Sequence, residues 1–106
     1  MIARLRGRQQ FAAFAGTRAI RSGRISVRVA PAIRPGVPAV GFAIGRGVGP
    51  AVVRNQLRRR LRALLHVHRN SLDTAAAYLV SVHGVGNLTM GDLDNALSAI
   101  LRKVAA

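Results

Sequence analysis

A run of arginines near the middle of the chain carries its clearest chemistry. From Val53 the apolar residues recur at helical spacing, and a group of basic and amide side chains falls on or beside the opposite face. That group is Arg54, Asn55, Arg58, Arg59 and Arg62. A guanidinium can donate two parallel hydrogen bonds to a phosphate and can also stack on a base. The spacing therefore predicts an amphipathic helix with a phosphate-binding face.

The charges of this helix favour a polyanionic partner over a merely solvated face. A solvated face usually mixes signs and gains from ion pairs three or four residues apart. Residues 52–69 contain no acid, so neighbouring arginines repel one another in the free helix. A polyanion would relieve that repulsion, and we therefore expect contact with nucleic acid.

The whole chain has the same excess of basic over acidic residues. Its 106 residues include 17 Lys+Arg against 3 Asp+Glu, a formal charge of +14, and Lys103 is the only lysine. The acids are too few to neutralise the arginines, so most arginines must face solvent or a polyanion. An anionic membrane surface is the main competitor to nucleic acid. No apolar run approaches the roughly 20 residues of a spanning helix, so we expect no transmembrane segment.

Catalysis by the protein's own side chains is not expected. A metal-dependent nuclease needs several carboxylates around hard cations, and the only acids are Asp73, Asp92 and Asp94. Asp92 and Asp94 are two residues apart on a predicted helix and point in different directions, as do His66 and His68. No acid convincingly orients a serine–histidine pair. We predict no catalytic residue, no metal ligand and no tightly bound cofactor. The absence of cysteine excludes thiolate sites and fits the reducing cytoplasm.

Hydrophobic periodicity predicts the strands that support the arginine helix. Apolar and polar residues alternate over residues 24–30 and 39–46, and an apolar run covers residues 76–83. A proline-rich loop over residues 31–38 separates the first two strands. The length and the apolar content suit one domain spanning residues 1–106.

Two further helices are predicted at the ends of the chain. Residues 9–15 form a short first helix with Phe11 and Phe14 on one face. These aromatics are either core residues or a stacking platform for unpaired bases, and core packing is the default. Thr89 and Asp92 have the spacing of a capping box at the start of the last helix.

The arginine helix also carries a family resemblance. Residues 51–62, Ala-Val-Val-Arg-Asn-Gln-Leu-Arg-Arg-Arg-Leu-Arg, resemble the signature helix of the bacterial ribonuclease P protein family, in which Arg-Asn-Arg is followed by paired basic residues. Residues 40–49 are similar to the strand and glycine-containing loop that precede that helix. Nearly the whole chain follows the family's order of elements. Gln56 replaces the last arginine of the motif, and Arg46 is the lone basic residue of the loop.

The resemblance implies an α+β fold. It is an α/β sandwich with a central, mostly antiparallel four-stranded sheet, elements in the order αβββαβα, and a left-handed βαβ crossover, as in the second domain of a small-subunit ribosomal protein. That handedness runs against the usual right-handed rule. Periodicity locates only three strands, so we expect a further one near residues 33–34 or split off residues 19–29.

The resemblance further implies a function. The chain would be the protein subunit of ribonuclease P, which assists endonucleolytic removal of the 5′ leader from precursor tRNA. The RNA subunit would perform the hydrolysis and bind most of the Mg²⁺. The expected partners are that catalytic RNA and precursor tRNA, with no membrane and no required protein partner. The alternatives are an RNA-binding protein of the ribosome or another ribonucleoprotein, and a DNA-binding architectural protein.

The same resemblance assigns residues to two surfaces. Contacts to the catalytic RNA are expected from Arg46, Arg54, Asn55, Arg58, Arg59 and Arg62. A cleft for the leader is expected to be lined by Phe11, Phe14 and Arg28. We further expect Arg46 to help bind phosphate near the entry of the signature helix.

Overall fold

A mixed sheet and two long helices make up most of the structure, a computed structural model that describes residues 2–5, 12–32 and 36–105. The strands are β1 (Ala3–Arg4), β2 (Ala19–Ser22), β3 (Ile25–Pro31), β4 (Ala39–Ile44) and β5 (Ala76–Val82). The helices are α1 (Ala51–Val67) and α2 (Met90–Ala105), with 3-10 turns at Arg46–Val48 and Arg69–Ser71.

The sheet has the strand order β1-β4-β5-β3-β2. Strand β4 runs parallel to both β1 and β5, whereas β3 is antiparallel to β5 and β2. Helix α1 therefore connects two parallel neighbours, β4 and β5, as a crossover. The predicted α+β class is confirmed, and the left-handed sense of the crossover stays a prediction.

The strand count differs from the expected four. The described sheet has five strands, with two parallel and two antiparallel pairings, so it is mixed rather than mostly antiparallel. Strand β1 is only 2 residues long, too short for any alternation to show in the sequence. Strand β2 is split off residues 19–29, as one of the two alternatives expected. Residues 33–34, the other alternative, lie outside the described residues.

Alternate side chains of each strand point to the same face of the sheet, and both helices pack on that apolar face. Ile25 and Val27 of β3 share one buried cluster with Tyr78 of β5 and with the apolar residues of α1 and α2. The apolar stripe predicted from Val53 onward is confirmed, since Val53 is half-buried and Leu57, Leu61, Leu64 and Leu65 are buried. We call these four leucines the leucine stripe. Fully burying each such side chain stabilises the fold by about 1.5–3 kcal/mol. Among the described residues, neither helix meets the length and apolarity that crossing a membrane requires.

Local hydrogen bonds and backbone conformations determine where the helices begin and where β4 ends. The Thr89 Oγ1 accepts a hydrogen bond from the Asp92 N–H at 3.1 Å, and the Asp92 carboxylate accepts from the Thr89 N–H at 3.4 Å. The predicted capping box is therefore confirmed at the start of α2. Helix α1 begins after Pro50, whose backbone is extended. Strand β4 ends at Ile44 rather than at residue 46, because a 3-10 turn begins at Arg46.

The predicted first helix falls mostly outside the described residues. Phe11 lies among residues 6–11, of which the structure describes nothing. Residues 12–17 form hydrogen-bonded turns, with the Ala15 N–H donating to the Ala12 carbonyl at 3.1 Å and the Thr17 N–H to the Phe14 carbonyl at 3.1 Å.

Candidate nucleic-acid interface

Helix α1 presents its arginines away from the leucine stripe. We call Arg54, Asn55, Arg58, Arg59 and Arg62 the basic face. Asn55, Arg59 and Arg62 are exposed, and Arg54 and Arg58 are half-buried. The structure thus brings five of the six predicted contacts to the catalytic RNA onto one helix whose other side is fixed to the sheet.

The hydrogen bonds of the basic face leave its charge uncompensated. Arg54 Nε donates to the carbonyl of Gly49 at 3.2 Å, and Arg58 Nη1 donates to Asn55 Oδ1 at 3.1 Å. Both acceptors are neutral. Within residues 2–5, 12–32 and 36–105 the only ion pair joins His68 and Asp94. Among the described residues, no acid therefore neutralises an arginine of the basic face.

Arg62 is held by an aromatic ring from the sheet. Its guanidinium carbon lies 5.4 Å from the centroid of the Phe42 ring, within the range of a cation–π contact. Partial burial and the neighbouring charges of Arg4 and Arg58 lower the pKa of Arg62. The group stays charged near neutral pH, because a guanidinium titrates far above it. Sequence reasoning placed Phe42 on a strand but could not place it beneath Arg62.

Arg46, the sixth predicted contact, lies on the 3-10 turn that precedes α1 and is exposed. Val48 of the same turn is buried, and its carbonyl accepts a hydrogen bond from the Gly86 N–H at 2.8 Å. The turn is thereby anchored to the loop after β5. This anchoring positions the Arg46 side chain beside the entry of α1.

Gln56, the departure from the family motif, is part of the scaffold. Its Oε1 accepts a hydrogen bond from Asn87 Nδ2 at 2.8 Å. Arg60, which lies beside the apolar stripe of the helix, donates to the carbonyl of Leu88 at 2.7 Å and to Asn87 Oδ1 at 3.2 Å. These two side chains of α1 thus bind the loop before α2. The position of Arg60 beside the stripe is the only sequence signal of this role.

Two of the predicted leader-cleft residues, Phe14 and Arg28, lie on the other face of the sheet. Phe14 is only 4% exposed and packs against Ala30 and Ala77, which point away from α1. Its ring is therefore largely covered, as core packing predicts. Arg28, two residues before Ala30 on β3, donates from Nη1 to the carbonyl of Thr17. The basic face and these two residues thus belong to different surfaces.

The three acids serve the fold. Asp73 accepts a hydrogen bond from the N–H two residues later at 2.8 Å, and Asp92 caps α2. Asp94 accepts from His68 at 2.8 Å, and this hydrogen bond is the main cause that lowers the pKa of Asp94. Among the described residues no three histidines or acids form a group that could hold a metal ion. The donor set does not fit a Mg²⁺ site on the protein.

One cluster was not expected from the sequence. Ser98 Oγ lies 3.4 Å from His68 Nε2 and 3.3 Å from Asp94 Oδ1, so serine, histidine and acid do meet. Both partners approach the same ring nitrogen of His68. A catalytic relay needs the acid on one ring nitrogen and the nucleophile on the other. The cluster therefore joins α1 to α2 and does not activate Ser98.

Comparison with known proteins supports the family resemblance. A family model described as Ribonuclease P matches residues 2–105. The ribonuclease P protein component of a Nocardioides species is 40% identical over 68 residues, which cover 63% of this chain and 58% of that protein. The component of Beutenbergia cavernae is 43% identical over 60 residues, covering 54% and 49%. The chain thus spans about half the length of these curated relatives.

A solved structure shares the fold. The ribonuclease P protein of Thermotoga maritima superposes with a TM-score of 0.79, covering 94% of this chain and 96% of that one at 18% identity. An identity this low shows the common fold alone. The family match, in contrast, runs through β1, the basic face and α2. This chain therefore belongs to the ribonuclease P protein family.

Proposed function

We propose that this chain is the protein subunit of a cytoplasmic ribonuclease P ribonucleoprotein, which removes the 5′ leader from precursor tRNA. One observation carries the proposal beyond family membership. The basic face is free of acids and stands on a helix whose leucine stripe is buried in the sheet. It can therefore meet a rigid RNA surface without reorganising.

The basic face is proposed to bind the catalytic RNA. Arg58, Arg59 and Arg62 would donate to phosphate oxygens, and Asn55 would add a neutral amide at the same surface. Arg46 would supply a further charge at the helix entry. Neutralising several phosphates releases counterions, so binding should weaken steeply as salt rises.

The opposite sheet face is proposed to contact the leader. Arg28 contributes a cation to that surface, and Phe14 belongs to the apolar cluster on the same face. Because the Phe14 ring is largely covered, its contribution there would be to shape the surface more than to stack on a base. Phe11, the third residue of this group, lies outside the described residues. Separate surfaces would let the protein hold the catalytic RNA and the leader at the same time.

The chemical step is assigned to the RNA subunit. Hydrolysis of the phosphodiester bond by Mg²⁺-activated water needs oxygen ligands converging on the ion. The three acids of this chain are dispersed and used by the fold. The protein would therefore neutralise RNA charge and position the substrate, which lowers the Mg²⁺ concentration that cleavage requires.

Reconstitution tests this function. The full chain is added to the cognate RNA subunit, and precursor-tRNA cleavage is followed over a Mg²⁺ titration. We expect the rate at low Mg²⁺ to rise at least about tenfold, which corresponds to about 1.4 kcal/mol of added stabilisation. An unchanged rate at every Mg²⁺ concentration would contradict the proposal. Co-sedimentation with ribosomal subunits in its place would favour the ribosomal alternative.

A charge reversal tests the basic face within that assay. The double variant Arg58→Glu and Arg59→Glu should weaken binding of the catalytic RNA by at least about a hundredfold, since it exchanges two phosphate contacts for repulsion. Arg102→Glu on α2 is the control, because it reverses an exposed arginine outside the proposed surfaces. Circular dichroism should show both proteins folded. Equal affinities of the double variant and the unchanged chain would remove α1 from the interface.

A further inference from the structure

A cavity lies beside the basic face, between strands β1 and β4 and the C-terminal half of α1. Its volume is about 290 Å³, near the lower end of small-molecule pockets. Val40, Phe42 and Leu65 form its apolar wall, and Arg4, Arg62 and His66 are its ionisable lining residues. Val40 and Leu65 are buried, whereas Arg4, Arg62 and His66 are exposed. The cavity is thus apolar inside and cationic at its mouth.

The cations at the mouth have no acidic counterpart there. None of the three acids lines the cavity, because each has a structural role elsewhere. Arg4 and Arg62 are close enough for their charges to repel, and this repulsion contributes to the lowered pKa of Arg62. An anion placed between them would relieve the repulsion. The mouth therefore favours a negatively charged group.

The wall favours a flat apolar group. The Arg62 guanidinium lies over the Phe42 ring, so a planar cation and an aromatic ring are already held together. Guanidinium planes and aromatic side chains are the surfaces on which unpaired bases stack. The combination of a stacking surface with an anion-binding mouth matches a nucleotide better than a bare phosphate or an apolar molecule.

We propose that this cavity binds one unpaired nucleotide of a bound RNA, with its base against Phe42 and Arg62 and its phosphate on Arg4. The inference rests on the proposed function, since an RNA held on the basic face brings its nucleotides to the mouth of the cavity. It adds a single-nucleotide site to a surface otherwise expected to read only backbone charge. Arg62 then binds a base as well as phosphate.

Nucleotide fragments test the site without any RNA subunit. The ¹⁵N-labelled full chain is titrated with AMP, adenosine and ribose 5-phosphate at constant ionic strength, and amide shifts are recorded. We expect the AMP shifts to cluster at Arg4, Phe42, Arg62 and His66. AMP should bind about tenfold more tightly than either fragment, the order expected for one stacked base. Equal binding of ribose 5-phosphate would mean an anion site only and would overturn the proposal.

Two variants separate the cavity from general charge attraction. Phe42→Leu keeps an apolar side chain but removes the ring, and Arg62→Gln removes the guanidinium from an exposed position. Each should weaken AMP binding about tenfold. Arg102→Gln removes the same charge from a residue that does not line the cavity, and it should leave AMP binding unchanged. An equal loss for Arg62→Gln and Arg102→Gln would reduce the effect to bulk charge and overturn the proposal.

The test of the nucleotide site can be read separately from the test of the proposed function. If Phe42→Leu does not fold, Arg62→Gln alone decides, because Arg62 lies on the helix surface. Stimulation of precursor-tRNA cleavage is read in the reconstituted complex, whereas AMP binding is read on the protein alone. Stimulation without specific AMP shifts would overturn only the nucleotide site. Specific AMP shifts without stimulation would overturn only the subunit assignment.

Discussion

Asn87 donates a hydrogen bond from its side-chain amide to Gln56 Oε1 at 2.8 Å, across 31 residues of sequence. Its own Oδ1 accepts from Arg60 at 3.2 Å and from the Leu88 N–H at 2.9 Å. One amide thus joins α1 to the loop before α2. The position where the family resemblance expects the second arginine of the Arg-Asn-Arg motif therefore holds α1 against that loop.

Gln56→Arg should restore the family motif and remove the hydrogen bond between Asn87 and Gln56. The new guanidinium cannot accept the Asn87 hydrogen bond, so the free energy of unfolding should fall by about 0.5–1.5 kcal/mol. If the new side chain reaches phosphate, the slope of log affinity for the catalytic RNA against log salt should steepen by about one unit. Urea unfolding and filter binding at several salt concentrations measure the two effects.

Asn87→Ala is the matched control for that variant. It removes the same hydrogen bond, together with the two that Asn87 Oδ1 accepts, without adding charge. It should therefore lower stability by at least as much and leave the salt slope unchanged. If Gln56→Arg leaves both stability and slope unchanged, the bond between Gln56 and Asn87 has no energetic weight.

Arg58→Glu should stabilise the free protein while weakening its RNA complex. Arg58 lies four residues from both Arg54 and Arg62 on α1, so two repulsive pairs become attractive. Each pair is worth about 0.2–0.5 kcal/mol at low salt. Thermal unfolding with and without the catalytic RNA measures both effects. Unchanged stability of the free protein would show that the repulsion along the basic face is already screened.

Asp94→Asn should remove an acid-sensitive part of the stability. Hydrogen bonding from His68 lowers the pKa of Asp94 from its ordinary value of 3.8. A lowered carboxyl pKa contributes stability above the unfolded value, and that contribution is lost as the pH falls through the folded pKa. The difference in unfolding free energy between the two proteins should therefore be constant above about pH 4 and shrink below it. Urea titrations from pH 2 to pH 6 test this, and His68→Ala should weaken the same dependence, since the Ser98 hydroxyl still donates to Asp94.

Gly84→Ala should destabilise the chain more than Gly86→Ala. Both glycines have positive φ, +79° and +101°, where a Cβ costs about 1–2 kcal/mol. Only at Gly84 would the new Cβ meet a neighbour, Arg24 Nε at 2.8 Å. Arg24 donates to the carbonyls of His83 and Gly86 at 2.6 and 2.8 Å, and the clash would displace it from both. Equal unfolding midpoints for the two variants would show that Arg24 moves aside without loss.

The sequence by itself determined what depends on neighbours along the chain. The leucine stripe and the basic face of α1 follow from a 3.6-residue period over about five turns. The capping box of Thr89 and Asp92 needs only three residues of spacing. The strand alternation at Ile25 and Val27 is equally local. Family membership rested on an ordered string of residues, and the match over residues 2–105 confirms it.

Only the tertiary structure decided the contacts between distant residues. No local pattern places Asn87 against Gln56, Asp94 against His68, or Phe42 beneath Arg62. Strand β1 has 2 residues and exists because β4 offers it a partner. Such pairings depend on strand order and on how the helices pack, which periodicity cannot encode because it reports only which face of an element is buried. The basic face of α1 could therefore be predicted from the sequence. The cavity beside it could not, because it forms only where β1, β4 and α1 meet in the folded chain.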